Sequence, residues 1–359
     1  MIEIVITGFP GFIASQLIRK IALENMGISA IILPAERQKA EQQATLIQKE
    51  TGCRPLKLIE GDITKAGLAI SSEDIQYIKE RTIVFWHLAA IYDLAVPREA
   101  AWLVNVEGTK NVNAFVAALP KVERYMYFST AYVAGAREGQ LLEKELIRPE
   151  RFKNFYEETK FEAEVLVEAL KKTVPTTIIR PGIVRGHSTT GQTVKFDGPY
   201  FFLNMIDRVR KLPFIPYIGH STAYINVVPV DYIIEAATYL SGLTEAAGET
   251  VHLTDPNPHP VEEVYRAMVF QMTGKTPRKR IPHKLAAWSL SLAMVRKSLG
   301  VEAETLDYLT WHASFDTHNA KRLLEKSGIE CADFLETIPA MVSFYQLHKK
   351  DGKFHVAIQ

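Results

Sequence analysis

The chain opens on Ile2-Glu3-Ile4-Val5-Ile6-Thr7-Gly8-Phe9-Pro10-Gly11-Phe12-Ile13-Ala14 and continues Ser15-Gln16-Leu17-Ile18-Arg19-Lys20. A β-branched run enters a glycine turn, and the turn opens an amphipathic segment. Few folds begin this way. Gly8 can take a turn conformation closed to other residues. Gly11 lets the backbone approach a pyrophosphate, and the small Ala14 lets a helix pack close to the strand. The first N–H groups of that helix then face an anion with a partial positive charge behind them. The opening therefore predicts a strand–turn–helix unit built around a dinucleotide.

With 359 residues the chain can form one large α/β domain or two modest ones. Charged residues of both signs are spread along it and sum to +1. No basic stripe points to nucleic acid, and no acidic tail points to disorder. Cys53 and Cys331 are the only cysteines. They exclude a disulfide framework and a cysteine-based zinc site, no metal is expected, and a reducing cytoplasm fits. The N-terminus reads as a strand, not a signal sequence.

Strand-like segments at 3–7, 29–33, 55–60, 82–87, 124–129 and 176–180 alternate with helix-like ones at 12–24, 36–51, 72–79, 99–118 and 155–172. That rhythm predicts an α/β fold, a Rossmann-type doubly wound parallel sheet. Further strands are expected at 223–228 and 250–253. Residues 1–185 are assigned to the dinucleotide-binding domain, with 223–255 returning to it. Residues 186–222 and 256–359 are assigned to a smaller, mostly helical substrate lobe. Its most apolar stretch, 285–295, is too short to span a bilayer and is flanked by Arg278, Lys279, Arg280, Arg296 and Lys297. A buried helix is expected there in preference to contact with a membrane surface.

Ligands of such sheets sit at the carboxyl ends of the strands. After the second strand come Glu36, Arg37 and Lys39. A carboxylate there holds a ribose 2′-hydroxyl, whereas Arg37 and Lys39 would meet a 2′-phosphate, so NADP(H) is expected over NAD(H). The third strand ends at Asp62-Ile63, where a carboxylate can accept from an adenine amino group or simply shape a turn. The fourth ends at His87-Leu88-Ala89-Ala90. The alanines leave room for a ribose, and His87 reads as a hydrogen-bonded core histidine. Asn105 and Gly108 lower helix stability in mid-segment, through use or surface tolerance. The fifth strand ends at Ser129-Thr130, two hydroxyls that would face the crevice. Tyr156 and Lys160 follow at a spacing that puts them on one helix face. An ammonium beside a phenol favours proton exchange near neutral pH. Tyr345 and Lys349 share the spacing but lack this context and read as structural.

Taken together, Thr7-Gly8-x-x-Gly11-Phe12-x-Ala14, Asp62-Ile63, Leu88-Ala89-Ala90, Asn105-Val-x-Gly108-Thr109, Ser129-Thr130-Ala131, Tyr156-x-x-x-Lys160 and Arg180-Pro181-Gly182-Ile183-Val184 resemble an extended short-chain dehydrogenase/reductase. Within that superfamily the chain is most similar to the thioester reductase and fatty acyl-CoA reductase group. That likeness is carried by the run Phe128 to Gly135, by Gly186, Ser188, Thr190 and Gly191 after Val184, and by Phe196-Asp197-Gly198-Pro199-Tyr200-Phe201-Phe202. Ala14 and Pro34 depart from the group's pattern.

The resemblance implies a catalytic set of Thr130, Tyr156 and Lys160, with Ser129 as the alternative to Thr130. It implies a cofactor lined by Thr7, Gly8, Phe9, Pro10, Gly11, Phe12, Ile13, Arg37, Asp62, Ile63, Leu88, Ala89, Ala90, Asn105, Ser129, Tyr156, Lys160, Pro181, Gly182, Ile183 and Val184. The implied reaction is hydride transfer to the carbonyl of an acyl thioester or aldehyde with an apolar tail. With no adenylation or carrier segment in view, the acyl group is expected free, on coenzyme A or on a separate carrier protein. Tyr200, Phe201, Phe202, Phe214, Tyr217 and the segment around Trp288 suit such a tail, or fill the lobe's own core. Two other readings stand beside this one. One is an alcohol, sterol-like or sugar-nucleotide dehydrogenase or epimerase, with Arg208, Arg210 and Lys211 for a diphosphate. The other is a non-catalytic NAD(P)-binding regulatory protein. A homodimer formed through the 99–118 and 155–172 helices is also compatible.

Overall fold

The computed structural model describes residues 2–24, 26–92, 96–282, 284–285, 288, 291–300, 308 and 310–355. Seven strands form its main sheet: β1 (Ile2–Thr7), β2 (Gly27–Ile32), β3 (Lys57–Glu60), β4 (Thr82–His87), β5 (Val122–Phe128), β6 (Thr176–Pro181) and β7 (Thr250–Leu253). Their spatial order is β3-β2-β1-β4-β5-β6-β7, and every pairing is parallel. Strand order reverses between β1 and β4. A crevice opens there at the carboxyl ends, where such sheets bind dinucleotides. The expected doubly wound sheet is present.

Period-two alternation sends side chains to both faces. Ile4 and Ile6 join a core with Leu17, Ile18 and Ile21 of α1 (Phe12–Ala22) and Ala40 and Ile47 of α2 (Arg37–Thr51). Val5, Phe85 and Tyr127 point the other way. They pack under Ile78 of α3 (Ser72–Lys79), Val112 and Val116 of α4 (Gly108–Ala117), and Ala163 and Val167 of α5 (Phe155–Leu170). Burial on both faces explains why the strands read as near-continuous apolar runs.

Local departures have local causes. The helix expected at 99–118 is α-helical over Arg98–Ala101, π-helical over Trp102–Glu107, then α4. The strand expected at 223–228 splits into Tyr224–Ile225 and Val227–Pro229, and the latter pairs with Ile183–Arg185. A second core joins Phe196, Tyr200, Phe202 and Leu203 to Val264, Met268, Phe334, Ile338 and Met341. Tyr200, Phe201 and Phe202 are therefore buried inside the lobe, whereas Phe214 is 40% and Trp288 63% exposed.

Candidate active site

Two positions in the turn after β1 have no room for a side chain. Gly8 has φ of 93°, and a Cβ there would lie 2.8 Å from the Ala89 nitrogen. At Gly11 a Cβ would fall 2.7 Å from the Gly8 carbonyl oxygen. Gly11 caps α1 without a side-chain hydrogen bond, and the first turn of the helix carries no acid. Its opening N–H groups are thus suited to a phosphate. A bare glycine cradle at a helix N-terminus, set at the switch point of the sheet, fits a dinucleotide.

Strand register builds the adjoining layer. Thr7 pairs with His87, and His87 with Tyr127, on three neighbouring strands. Thr7 Oγ1 meets His87 Nδ1 at 2.8 Å, and His87 Nε2 meets Thr109 Oγ1 at 3.1 Å. The Thr109 hydroxyl also acts on the neighbouring Tyr127 phenol. The Ala89 N–H donates to Thr7 at 3.3 Å, tying the glycine turn to the end of β4. Burial and the nearby Lys160 hold His87 neutral, with its pKa pulled down to about 3. It is the core histidine expected from sequence.

Asn154 caps α5 by accepting from the Glu157 N–H at 2.9 Å, which sets Tyr156 in the first turn of the helix. Burial pushes the Tyr156 phenol above its usual range, and a hydrogen bond from Thr130 draws it back. Thr130 also accepts from the Tyr132 N–H at 3.3 Å. Ser129 is committed elsewhere. Its hydroxyl donates to Glu164, a buried carboxylate that Arg180 Nε also reaches at 2.9 Å. The two adjacent hydroxyls therefore separate, Thr130 toward Tyr156 and Ser129 into a buried ion pair.

Lys160 is 3% exposed. Its ammonium donates to the Tyr127 hydroxyl at 3.0 Å and to the Phe128 carbonyl at 2.7 Å. Burial pulls its pKa down to about 7 against the upward pull of Glu164. Asn105 lies in the π-helical segment, and its amide is used structurally. It accepts from the Ile91 N–H at 2.9 Å and donates to Thr159 at 3.0 Å. Tyr92 stands edge-on to Tyr156 with ring centroids 5.0 Å apart. Tyr127, Glu164 and Tyr92 were not singled out from sequence, and Thr109 entered only as the last letter of a motif. For Tyr127 a signal exists, because a hydroxylated ring at a strand end faces the helix that carries Lys160.

The remaining expected positions are distributed as follows. Asp62 Oδ1 accepts from the N–H of Thr64 at 2.9 Å and from its hydroxyl at 2.7 Å, shaping the turn after β3. Ile63 fills the space above Gly108, where a Cβ would lie 2.9 Å away. Asn226 sits against Gly182 in the same way, at 2.5 Å. Ile183 and Val184 lie on the short strand paired with Val227–Pro229. Tyr345 donates to Asn204 at 3.0 Å and Lys349 to Asp207 at 2.5 Å, consistent with structural roles.

One expectation is corrected here. Arg37 and Lys39 were expected to favour NADP(H). Arg37 instead bonds Glu41 at 3.0 Å and Glu60 at 2.9 Å, and Lys39 lies 3.4 Å from Glu36. Three carboxylates thus surround two cations, which leaves no surplus positive charge for a 2′-phosphate. Solved structures that share this fold hold NAD. They include UDP-glucuronic acid 4-epimerase from Bacillus cereus in complex with NAD (19% identical, TM-score 0.65, covering 97% of this chain and 98% of that one). MoeE5 is likewise bound to NAD alongside UDP-glucuronic acid or UDP-glucose. The preference for NADP(H) does not stand.

The glycine cradle and the reversed strand order are those of an extended short-chain dehydrogenase/reductase, a class of NAD(P)-dependent enzymes. The chain belongs to the NAD-binding family described as "Male sterility protein", whose model matches residues 6–237. The non-canonical nonribosomal peptide synthetase cpsA of Aspergillus campestris is 24% identical over 304 residues, 78% of this chain and 28% of that protein. A linear gramicidin synthase of Brevibacillus parabrevis is 23% identical over 367 residues, covering 95% of this chain and 7% of that protein. The fatty acyl-CoA reductase wat of Drosophila melanogaster is 24% identical over 206 residues, covering 50% and 40%. The chain thus spans well under two thirds of each of these three relatives. The terminal R domain of the myxalamid PKS-NRPS pathway shares the fold over 97% of this chain and 91% of its own, at 22% identity and a TM-score of 0.81.

Proposed function

We propose that the chain reduces the carbonyl of an acyl thioester, or of the derived aldehyde, with Thr130, Tyr156 and Lys160 as its catalytic set. The observation that carries this reading is a buried Tyr156, kept protonated by its burial, with the Thr130 hydroxyl acting on its phenol. A protonated phenol is the form that donates to an oxygen gaining charge, which is what reduction requires. The glycine turn and the opening of α1 would hold NAD(H), which supplies the hydride when bound. Thr130 and Tyr156 donate hydrogen bonds to the carbonyl oxygen, and Tyr156 transfers its proton there. Lys160 in its protonated form places a positive charge beneath the site, and it anchors to the end of β5. A thioester would give a hemithioacetal that collapses to aldehyde and thiol.

Two likenesses support the acyl-thioester class. One is to the relative named as a fatty acyl-CoA reductase. The other is to a thiolation-reductase di-domain from an archaeal non-ribosomal peptide synthetase, at a TM-score of 0.72 and 18% identity. The acyl group would arrive on coenzyme A or on a carrier protein. The test is turnover of NADH with acyl-CoA, acyl-carrier and aldehyde substrates. Tyr156→Phe is expected to lower turnover at least about 100-fold. Full activity in that variant, or turnover of UDP-sugars alone, overturns the proposal.

A further inference from the structure

Between Glu263 and Glu302 the chain carries no Asp or Glu, yet it holds eight lysines and arginines. Charges are therefore not evenly spread, as the whole-chain balance suggested. The buried helix expected at 285–295 is not found at the described positions either. Ala286, Ala287, Ser289 and Leu290 lie outside the described residues. Leu285 is 52%, Trp288 63%, Leu292 45% and Met294 83% exposed. On the helix Ala293–Leu299, Val295 and Leu299 pack against the lobe core while Met294 faces outward. One side of this tract is thus anchored and the other is apolar and open.

A second segment extends the surface. Residues 210–214 are all exposed, with Leu212 at 49% and Phe214 at 40%. Lys275 donates to the carbonyls of Arg210 and Leu212 at 3.0 and 2.9 Å, and the Lys279 ammonium lies 4.6 Å from the Phe214 ring centre. Arg210 and Lys211, held above as candidates for a sugar diphosphate, stand on this exposed turn.

We propose that this face of the lobe docks on an anionic lipid–water interface, with Trp288, Leu285, Leu292 and Met294 entering the headgroup boundary and Lys279 and Lys284 meeting lipid phosphates. Arg280 is paired with Glu262 and Arg210 with Asp207, which leaves Lys279 and Lys284 as the cations for lipid, and exposed large apolar side chains flanked by such cations are the pattern of interfacial binding. Tryptophan favours that boundary, and each nearby cation adds attraction to an anionic leaflet. An acidic protein partner would use the cations but leave four large apolar side chains unexplained. Among the described residues no helix is long and apolar enough to cross a membrane, so contact would be peripheral.

The test is cosedimentation of the full chain with phosphatidylcholine vesicles and with vesicles that also contain phosphatidylglycerol. Binding at least about tenfold stronger to the anionic vesicles is expected, weakening as salt rises. Trp288→Ser is expected to lower partitioning about tenfold, and Lys279→Glu and Lys284→Glu about fivefold each. NADH binding by each variant reports that the chain is still folded, so a failure here is separable from a failure of the catalytic reading. Absence of binding to anionic vesicles, or equal binding by the variants, overturns the proposal. So does capture by an acidic carrier protein without any partition to lipid.

Discussion

Lys160 donates to the hydroxyl of Tyr127 at 3.0 Å, and the lysine ammonium stands 4.5 Å from the tyrosine ring centre. The contact joins α5 to the carboxyl end of β5 and continues through Thr109 and His87 to Thr7 at the glycine turn. The nucleotide cradle and the lysine are therefore tied by side chains as well as by the sheet. Removing the Tyr127 hydroxyl takes an acceptor from the ammonium and disfavours its charged form. In Tyr127→Phe the pKa of Lys160, about 7 in the parent chain, is expected to fall further. Activity that depends on protonated Lys160 would then decline at lower pH, with kcat affected more than KM. The pH profile of kcat/KM checks this. Tyr125→Phe serves as control, since that hydroxyl donates to Asn113 at 3.0 Å instead.

The two hydroxyls at the end of β5 should give opposite phenotypes. The Thr130 hydroxyl acts on the Tyr156 phenol, so Thr130→Val is expected to lower turnover about 100-fold with little change in melting temperature. Ser129 donates to buried Glu164, so Ser129→Ala is expected to leave turnover within a few-fold and to cost roughly 1.5–3 kcal/mol of stability. Steady-state kinetics and thermal melts on both variants decide the matter. A reversed pattern would make Ser129 the donor.

Cofactor choice should follow the carboxylates around Arg37. With Glu60 and Glu41 both on its guanidinium, the parent chain is expected to bind NADH more tightly than NADPH. Glu60→Gln removes one negative charge 2.9 Å from Arg37. The ratio of the two dissociation constants should then shift toward NADPH several-fold, by fluorescence titration. An unchanged ratio would place the discrimination elsewhere.

The glycine turn was legible in the sequence because its constraint is local. Gly8 and Gly11 answer to backbone atoms of the turn and of its neighbouring strand. The alternation of elements was legible because burial on both faces writes itself as apolar runs. Cofactor preference was not, since Arg37 reads as a free cation until β3 brings Glu60 alongside it. Thr130 was preferred to Ser129 only through the resemblance, and what separates the two physically is Glu164, on a helix 35 residues away. The meaning of Tyr127 likewise depends on strand register and on a helix, and neither is local. The expectation for 285–295 failed because an apolar run has the same composition in a core and on an open face.

Acid stability offers a test in which buried histidines and a buried carboxyl act with opposite sign. Burial holds His87 and His252 neutral, each with its pKa drawn down to about 3. Their unfolded values lie near 6.5. Between about 3 and 6.5 the unfolded chain binds protons that the folded chain refuses, so stability falls as pH drops through that window. Glu143 works against this trend. Burial raises its carboxyl to about 7, even though it accepts N–H groups from His252 at 2.8 Å and Ala320 at 3.1 Å. Between about 4.5 and 7 the folded chain holds a proton there that the unfolded chain releases, so this group gains stability as pH drops. His87→Asn should therefore melt lower at pH 7 but lose less on acidification to pH 5. Glu143→Gln should lose more over the same interval. Melting temperatures of the parent and both variants between pH 7.5 and 5 check the signs, and parallel slopes in all three would show that neither group titrates as its burial requires.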